Sequence, residues 1–354
     1  MKSHRHLIGV VNQLTELAKK HKKKTAFFIG STAKVNKGSF YFTPVRELTS
    51  VFFAGAVVYS EHQAFEICRD VDGKVDIILV DAEKKILGKD ALTGTISNIE
   101  RLARETVTIS SLWTYKGNDL TVEAVDLLIE ELFSSEAKGV GGKNAAILGA
   151  GNLGSKLALK LVERGMNVAI TRRNKRKLHL IGVALNYIKP TPTIAKLTTA
   201  TDHTKACINA DVVIGCARGN PVIYPETMEQ IKDTAIIIDV GKGTLTPESI
   251  KLAYKRKIPI YRLDVTAAIE GLIQSLIFNK TSVSNLGRKT LHNNICLVTR
   301  GLLGSEGEVV VDNVNQPQYI YGLADGRGDF VRRLSAKQQK IVESVKEYIV
   351  RNET

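Results

Sequence analysis

Asn144-Ala145-Ala146-Ile147-Leu148-Gly149-Ala150-Gly151-Asn152-Leu153-Gly154 runs from an apolar stretch, the length of a buried parallel strand, straight into a glycine-rich turn. From Ser155 to Arg164 the spacing of Leu157, Leu161 and Val162 is helical. Gly165 stops that helix, and Asn167-Val168-Ala169-Ile170-Thr171 is a second apolar run. A lone GxGxxG says little, but one set between a strand and a helix inside a βαβ unit is specific. Gly149 makes the tight turn, Gly151 lets main chain approach a pyrophosphate, and Gly154 lets the helix pack on the strand. The pyrophosphate then meets the leading N–H groups of the helix, around Asn152 and Leu153, at the positive end of its dipole. A glycine-rich turn with no ligand is the plain alternative, and the completeness of the surrounding pattern weighs against it.

The end of the second strand bears on which nucleotide binds. Sites that prefer NAD carry Asp or Glu there, accepting hydrogen bonds from the ribose hydroxyls. Here Thr171, Arg172, Arg173 and Asn174 follow one another, then Lys175, Arg176 and Lys177, with no acid among them. A hydroxyl and two guanidiniums suit a 2′-phosphate, which a carboxylate would repel. NADP(H) is therefore expected over NAD(H). Lys175 to Lys177 are expected to be a solvated helix start.

At 354 residues the chain is long enough for two domains, each with its own core. No apolar stretch reaches the length of a bilayer span, and the N-terminus lacks a signal-peptide core. A cytoplasmic protein with no membrane partner is expected. Cys68, Cys207, Cys216 and Cys296 are scattered, without zinc-type spacing, and read as reduced thiols; no metal is expected. Fifty Lys and Arg against 36 Asp and Glu give a net charge of +14. That raises nucleic acid as a partner. The charge is spread along helices and lacks interleaved aromatics, so nucleic-acid binding is not expected.

The pattern predicts an α/β protein: a Rossmann doubly wound parallel sheet plus a smaller α/β N-terminal domain. Helices are expected over 4–20, 61–68, 96–104 and 121–133, with strands over 25–30, 41–42, 52–59, 75–80 and 106–110. Within the Rossmann half, strands are expected over 211–216, 235–240 and 258–263, and helices over 225–231 and 246–255. Beyond 267 come a helix over 269–278, a strand over 295–299, a hairpin of 308–311 with 319–321, and a Ser335-capped helix to 350. The expected division is 1–138 for the first domain and 139–330 for the Rossmann domain, with the helix 335–352 completing the first.

This order resembles that of two-domain dehydrogenases with an amino-acid-dehydrogenase-like N-terminal domain, a superfamily that includes shikimate and methylenetetrahydrofolate dehydrogenases, glutamyl-tRNA reductase and the pyrrolysine-pathway dehydrogenase. Asn118-Asp119-Leu120-Thr121, the Gly149–Gly154 turn, Ala210 to Pro221 and Ile236 to Gly241 carry the resemblance, which is specific over roughly 115–265. It implies a hydride-transferring enzyme, commonly a homodimer. Asp119 is similar to the aspartate at the helix start of shikimate dehydrogenases, but their Pro-His-Lys sequence is absent and only Lys116 is near. No equivalent of the folate enzymes' tyrosine and lysine is present, and Cys68 lacks the context of the reductase nucleophile. The family's substrates do not carry over.

Ligands of open α/β sheets lie beyond the carboxyl ends of the strands. Cys216 and Ala217 are therefore expected beside the nicotinamide ribose, and Val240 and Gly241 beside the ring. Arg218 is expected to hold a phosphate or substrate carboxylate, with surface exposure as the alternative. Lys116, desolvated, is the candidate proton donor and Asp119 the group that holds its charge, with Tyr115 as a substitute donor. Capping the helix is the alternative role for Asp119 or Asn118. The expected activity is NADP(H)-dependent hydride transfer to or from a carbonyl or imine carbon of a small polar, carboxylated metabolite, the domains closing around Lys143 and its glycines. The alternative is a dinucleotide-binding sensor without turnover.

Overall fold

A computed structural model of the chain describes residues 2–32, 40–86, 94, 96–217 and 219–353. The N-terminal part comprises α1 (Lys2–His21), β1 (Lys24–Ser31), β2 (Tyr41–Glu47), β3 (Val51–Val58), α2 (Glu61–Val71), β4 (Ile77–Asp81), α3 (Ile99–Thr106), β5 (Ser111–Tyr115) and α4 (Gly117–Leu132). Its sheet has the order β2-β3-β1-β4-β5. Only the β2–β3 pairing is antiparallel. β4 is buried along its whole length, as strands covered on both faces must be. The strand expected over 106–110 lies instead at 111–115. Its predecessors wrap around Asp72, whose carboxylate accepts the N–H groups of Thr108, Ile109 and Ser110.

β6 (Asn144–Leu148), α5 (Asn152–Glu163), β7 (Asn167–Thr171), α6 (Lys175–Ile188), β8 (Leu197–Ala200), α7 (His203–Ala206), β9 (Val212–Gly215), α8 (Pro225–Met228), β10 (Ile236–Asp239), α9 (Pro247–Lys255) and β11 (Ile260–Arg262) follow. Their sheet, in the order β11-β10-β9-β6-β7-β8, is parallel throughout. This is the doubly wound Rossmann order. β8, its third strand in chain order, has no strand signature in the sequence because Leu197-Thr198-Thr199-Ala200 presents only one large apolar residue.

α4 does not stand with the first sheet. Its Val122, Val125, Ile129 and Phe133 share one core with Ile147, Leu157, Leu161 and Ile170. Charges reinforce the packing. Asp119, Glu123, Asp126 and Glu130 of α4 face Lys156, Lys160 and Arg164, on α5 and at its C-cap. Asp126 is 1% exposed and bonds both Arg164, at 2.8 Å, and Lys160, at 3.1 Å. Helix α4 thus packs on the nucleotide-binding sheet.

Contacts divide the chain into Met1–Glu270 and Gly271–Thr354, which differs from the expected boundary at 330. After α10 (Thr266–Ser284), β12 (Arg288–Thr290), β13 (Cys296–Thr299), β14 (Val309–Val311) and β15 (Ile320–Leu323) form a sheet of their own in that order. α11 (Ala336–Glu353) belongs to the same unit. Its Val345 and Ile349 pack on Leu297, Val309, Val311 and Leu323 of this small sheet. Among the described residues no helix is long and apolar enough to cross a membrane.

Candidate nucleotide and substrate site

The three glycines of the turn meet different demands. Gly149 has φ +120°, and a Cβ there would stand 3.1 Å from the main chain of Cys216 and Ala217. A Cβ on Gly154 would come within 2.3 Å of the Gly149 carbonyl oxygen. Both glycines are required by the fold itself. Gly151 is not: it is the N-cap of α5 with φ −90°, which any residue adopts, and a Cβ there meets nothing within 4 Å. It makes no side-chain cap, so the first N–H groups of α5 lack helical acceptors, and the space beside Gly151 is open. A bare helix start beside an empty approach fits a pyrophosphate.

At the end of β7 the residues separate. Arg172 donates to the Ala150 carbonyl inside the glycine turn. Arg173 is exposed, directly beyond the strand. Thr171 departs from the expected phosphate contact. Its side chain is buried and its hydroxyl pairs with His203 Nδ1 at 2.8 Å, so it ties the ends of β7 and α7 together and presents nothing to a ligand. Burial holds the His203 imidazole below its ordinary pKa, Asp202 opposing only in part, and the ring is neutral at pH 7.

The loops after β9 and β10 interlock. A Cβ on Gly241 would lie 1.7 Å from the Ala217 carbonyl oxygen, and one on Gly215 would lie 2.1 Å from Thr244 Oγ1. The N–H groups of Val240 and Gly241 both donate to the Gly215 carbonyl. Cys216 is half-buried, and burial pushes its thiol up to about 12, leaving a neutral filler at the strand end. Arg218 lies outside the described residues.

The first sheet brings to this edge a cluster that sequence reasoning missed. At the carboxyl ends of β1, β4 and β5, Asp81 accepts Ser31 Oγ at 2.9 Å, Lys85 Nζ at 2.8 Å and the Gly117 N–H at 3.3 Å. Lys85 also meets Glu83 at 2.6 Å, and Glu83 accepts the Asn118 N–H at 2.9 Å. The N-terminus of α4 is therefore capped from another strand by two carboxylates, at the helix end that favours negative charge. Neither Asn118 nor Asp119 caps the helix by its side chain. Asn118 donates to Asn152 Oδ1 at 3.1 Å, while Asp119 pairs with Lys156 and, at 3.8 Å, Lys116. The cluster thus reaches the first residue of the cofactor helix.

Lys116 is not the desolvated amine expected of it. Its side chain is 63% exposed, against 19% for Lys85. Burial, then the charges of Asp81 and Glu83, push the Tyr115 hydroxyl far above its ordinary value, so Tyr115 can donate but cannot act as a base. A usable signal existed. Asp81-Ala82-Glu83-Lys84-Lys85 is a charged run directly after a fully apolar strand, the same position that singled out Arg218.

Residues 144–243 match a family model described as NADP oxidoreductase, coenzyme F420-dependent. The protein carries a dehydrogenase-type Rossmann fold. The match spans the turn, β7 and the loops after β9 and β10, and leaves the first sheet and the C-terminal unit untouched. No curated protein matches the chain. Among solved structures it is similar to a dipicolinate synthase from Bacillus halodurans, at 15% identity over 72% of this chain and 97% of that one, with a TM-score of 0.36. It is similar also to L-tryptophan dehydrogenase from Nostoc punctiforme, at 15% identity over 73% and 74% with a TM-score of 0.39. For the anabolic ornithine carbamoyltransferase of Campylobacter jejuni the figures are 13%, 78%, 96% and 0.41. None of these bears on the substrate.

Proposed function

We propose that the chain is an NADP(H)-dependent oxidoreductase acting on a carbonyl or imine carbon of a small polar, carboxylated metabolite. The observation that carries the nucleotide half is the contrast within the turn: the fold demands Gly149 and Gly154, while Gly151 is free and borders an uncapped helix start. Asn152, Leu153 and Gly154 would hold the pyrophosphate by main-chain N–H groups. Arg173, with Arg172 behind it, would hold the 2′-phosphate. Once bound, the nicotinamide supplies or accepts the hydride.

The chain's own residues supply proton and position. Lys85 Nζ, at the start of α4 and held toward Asp81 and Glu83, is the candidate proton donor. Lys156 and Asn152 link that cluster to the cofactor helix, so the amine and the nucleotide share one frame.

One observation favours the second reading, a nucleotide-binding sensor without turnover: Asp81, Glu83, Lys85, Asp119 and Lys156 already satisfy one another within the protein. Assay of the wild type with NADPH across keto and imino acids, and with NADP+ across amino and hydroxy acids, separates the two. Turnover that Lys85→Met abolishes while NADPH still binds supports the enzyme. Tight NADPH binding with no oxidation by any of them supports the sensor.

A further inference from the structure

Five non-glycine residues have positive φ among the described residues: Lys22, Asn209, Lys242, Lys257 and Asn294. Local structure accounts for four. Lys22 directly follows the end of α1, Lys257 follows Arg256, the C-cap of α9, Asn209 ends the turn after α7, and Asn294 closes the turn between β12 and β13. Lys242, at φ +60°, ends no helix and closes no hairpin. It lies in the loop after β10, at the carboxyl edge of the Rossmann sheet.

That loop keeps its shape without the lysine. Asp239 accepts the Gly243 N–H at 2.8 Å, the Thr244 N–H at 3.3 Å and Thr244 Oγ1 at 2.7 Å. Gly241 is wedged against Ala217, and its N–H donates to Gly215 at 2.9 Å. The exposed Lys242 side chain makes no ion pair or hydrogen bond among the described residues. Glycine would adopt this conformation without strain, yet a long cation stands there. Strained backbone of this kind persists where the surroundings over-determine it, and it gathers at ligand sites.

Resting on the dinucleotide reading above, we propose that the Lys242 ammonium binds an anionic oxygen group, phosphate or carboxylate, of the ligand held at this edge. Asp239 and the packing of Gly241 on Ala217 hold this loop, and ligands of doubly wound sheets lie at that edge. An ammonium on a flexible stem suits such a group as a point charge.

Two variants test this. Lys242→Gly removes the charge and the strain together, whereas Lys242→Ala removes only the charge. Lys242→Gly is expected to melt at or above the wild-type temperature, so lost binding in it does not reflect misfolding. Calorimetry would compare wild type and both variants with NADPH, with NADH, and with oxalate added to the NADP+-loaded protein. Both variants are expected to bind on the order of tenfold to a hundredfold more weakly, the range for a hydrogen bond to a charged group. Equal weakening of NADPH and NADH identifies a cofactor phosphate, and weakening of oxalate alone identifies a substrate carboxylate. Variants that bind all three probes as the wild type does overturn the proposal. A wild type that binds neither nucleotide gives a different result, removing the dinucleotide reading beneath it.

Discussion

The glycine turn at 149–154 and the charged cluster at 81–85 both stand at the carboxyl ends of parallel strands, but different forces build them. The turn is main chain fitted to main chain, and its two structural glycines leave no room for a single carbon. The cluster is side chain fitted to side chain, with Ser31, Asp81 and the start of α4 meeting from three elements and Lys85 from the loop after β4. A steric demand of the first kind is written in consecutive residues. A charge network of the second kind is scattered along the chain and becomes visible only once the strands are aligned.

Substitutions can break that contrast. Gly154→Ala forces a carbon against a carbonyl that cannot yield, and is expected to cost about 3 kcal/mol in urea unfolding. Gly151→Ala should change stability by no more than about 0.5 kcal/mol, because its surroundings are open. Equal losses would erase the distinction between the two glycines. Asp126→Asn leaves Arg164 and Lys160 without their buried carboxylate. Both cations keep about a third of their side chains in solvent, so the expected cost is about 2 kcal/mol, below that of a fully buried pair. Nucleotide affinity should not change with it.

Glu83→Gln loosens Lys85, Lys156 and the cap on α4 at once, with an expected loss of about 1 kcal/mol. High salt should shrink that difference, since the partners are partly solvated. A loss unaffected by salt would mean that packing, not charge, holds the cluster.

The same two categories describe what is legible in the sequence. The Rossmann sheet can be read from Asn144 to Asp239 because buried parallel strands are short apolar runs with glycines at their ends. Its third strand cannot, since Thr198 and Thr199 are exposed at the sheet edge and leave no apolar signature. The packing partner of helix α4 is not legible, because its apolar residues and acids fit a sheet and a helix that only the fold brings alongside. Thr171 has the sequence position of a ligand and is a strut, because the histidine that pairs with its hydroxyl lies 32 residues away. Lys116 is nearer than Lys85 to Asp119 in sequence, whereas burial depends on the strands alongside.

Two smaller effects sharpen the picture. Partial burial pushes the Asp72 carboxyl up, but the N–H groups of Ser110, Thr108 and Ile109 and the Thr108 hydroxyl outweigh it and hold the pKa at about 2. A carboxyl depressed in this way stabilises the fold fully above its unfolded pKa, about 3.9, and loses that contribution as the pH falls toward its folded value. Asp72→Asn should therefore lower Tm at pH 7 and converge with the wild type near pH 2; a constant gap would refute the ionic origin. At Cys216, whose thiol burial pushes up to about 12, iodoacetamide at pH 7.5 should leave that residue unmodified in the folded protein, as read by peptide mapping. Rapid labelling there would contradict its role as an inert filler.

Titration calorimetry with NADPH and then NADH, on the wild type and on Gly151→Glu matched in melting temperature, tests the central claim most directly. The wild type should bind NADPH more tightly than NADH, and the folded variant should lose both. A well-folded wild type that takes up neither nucleotide, or a variant that binds NADPH undiminished, would contradict the account.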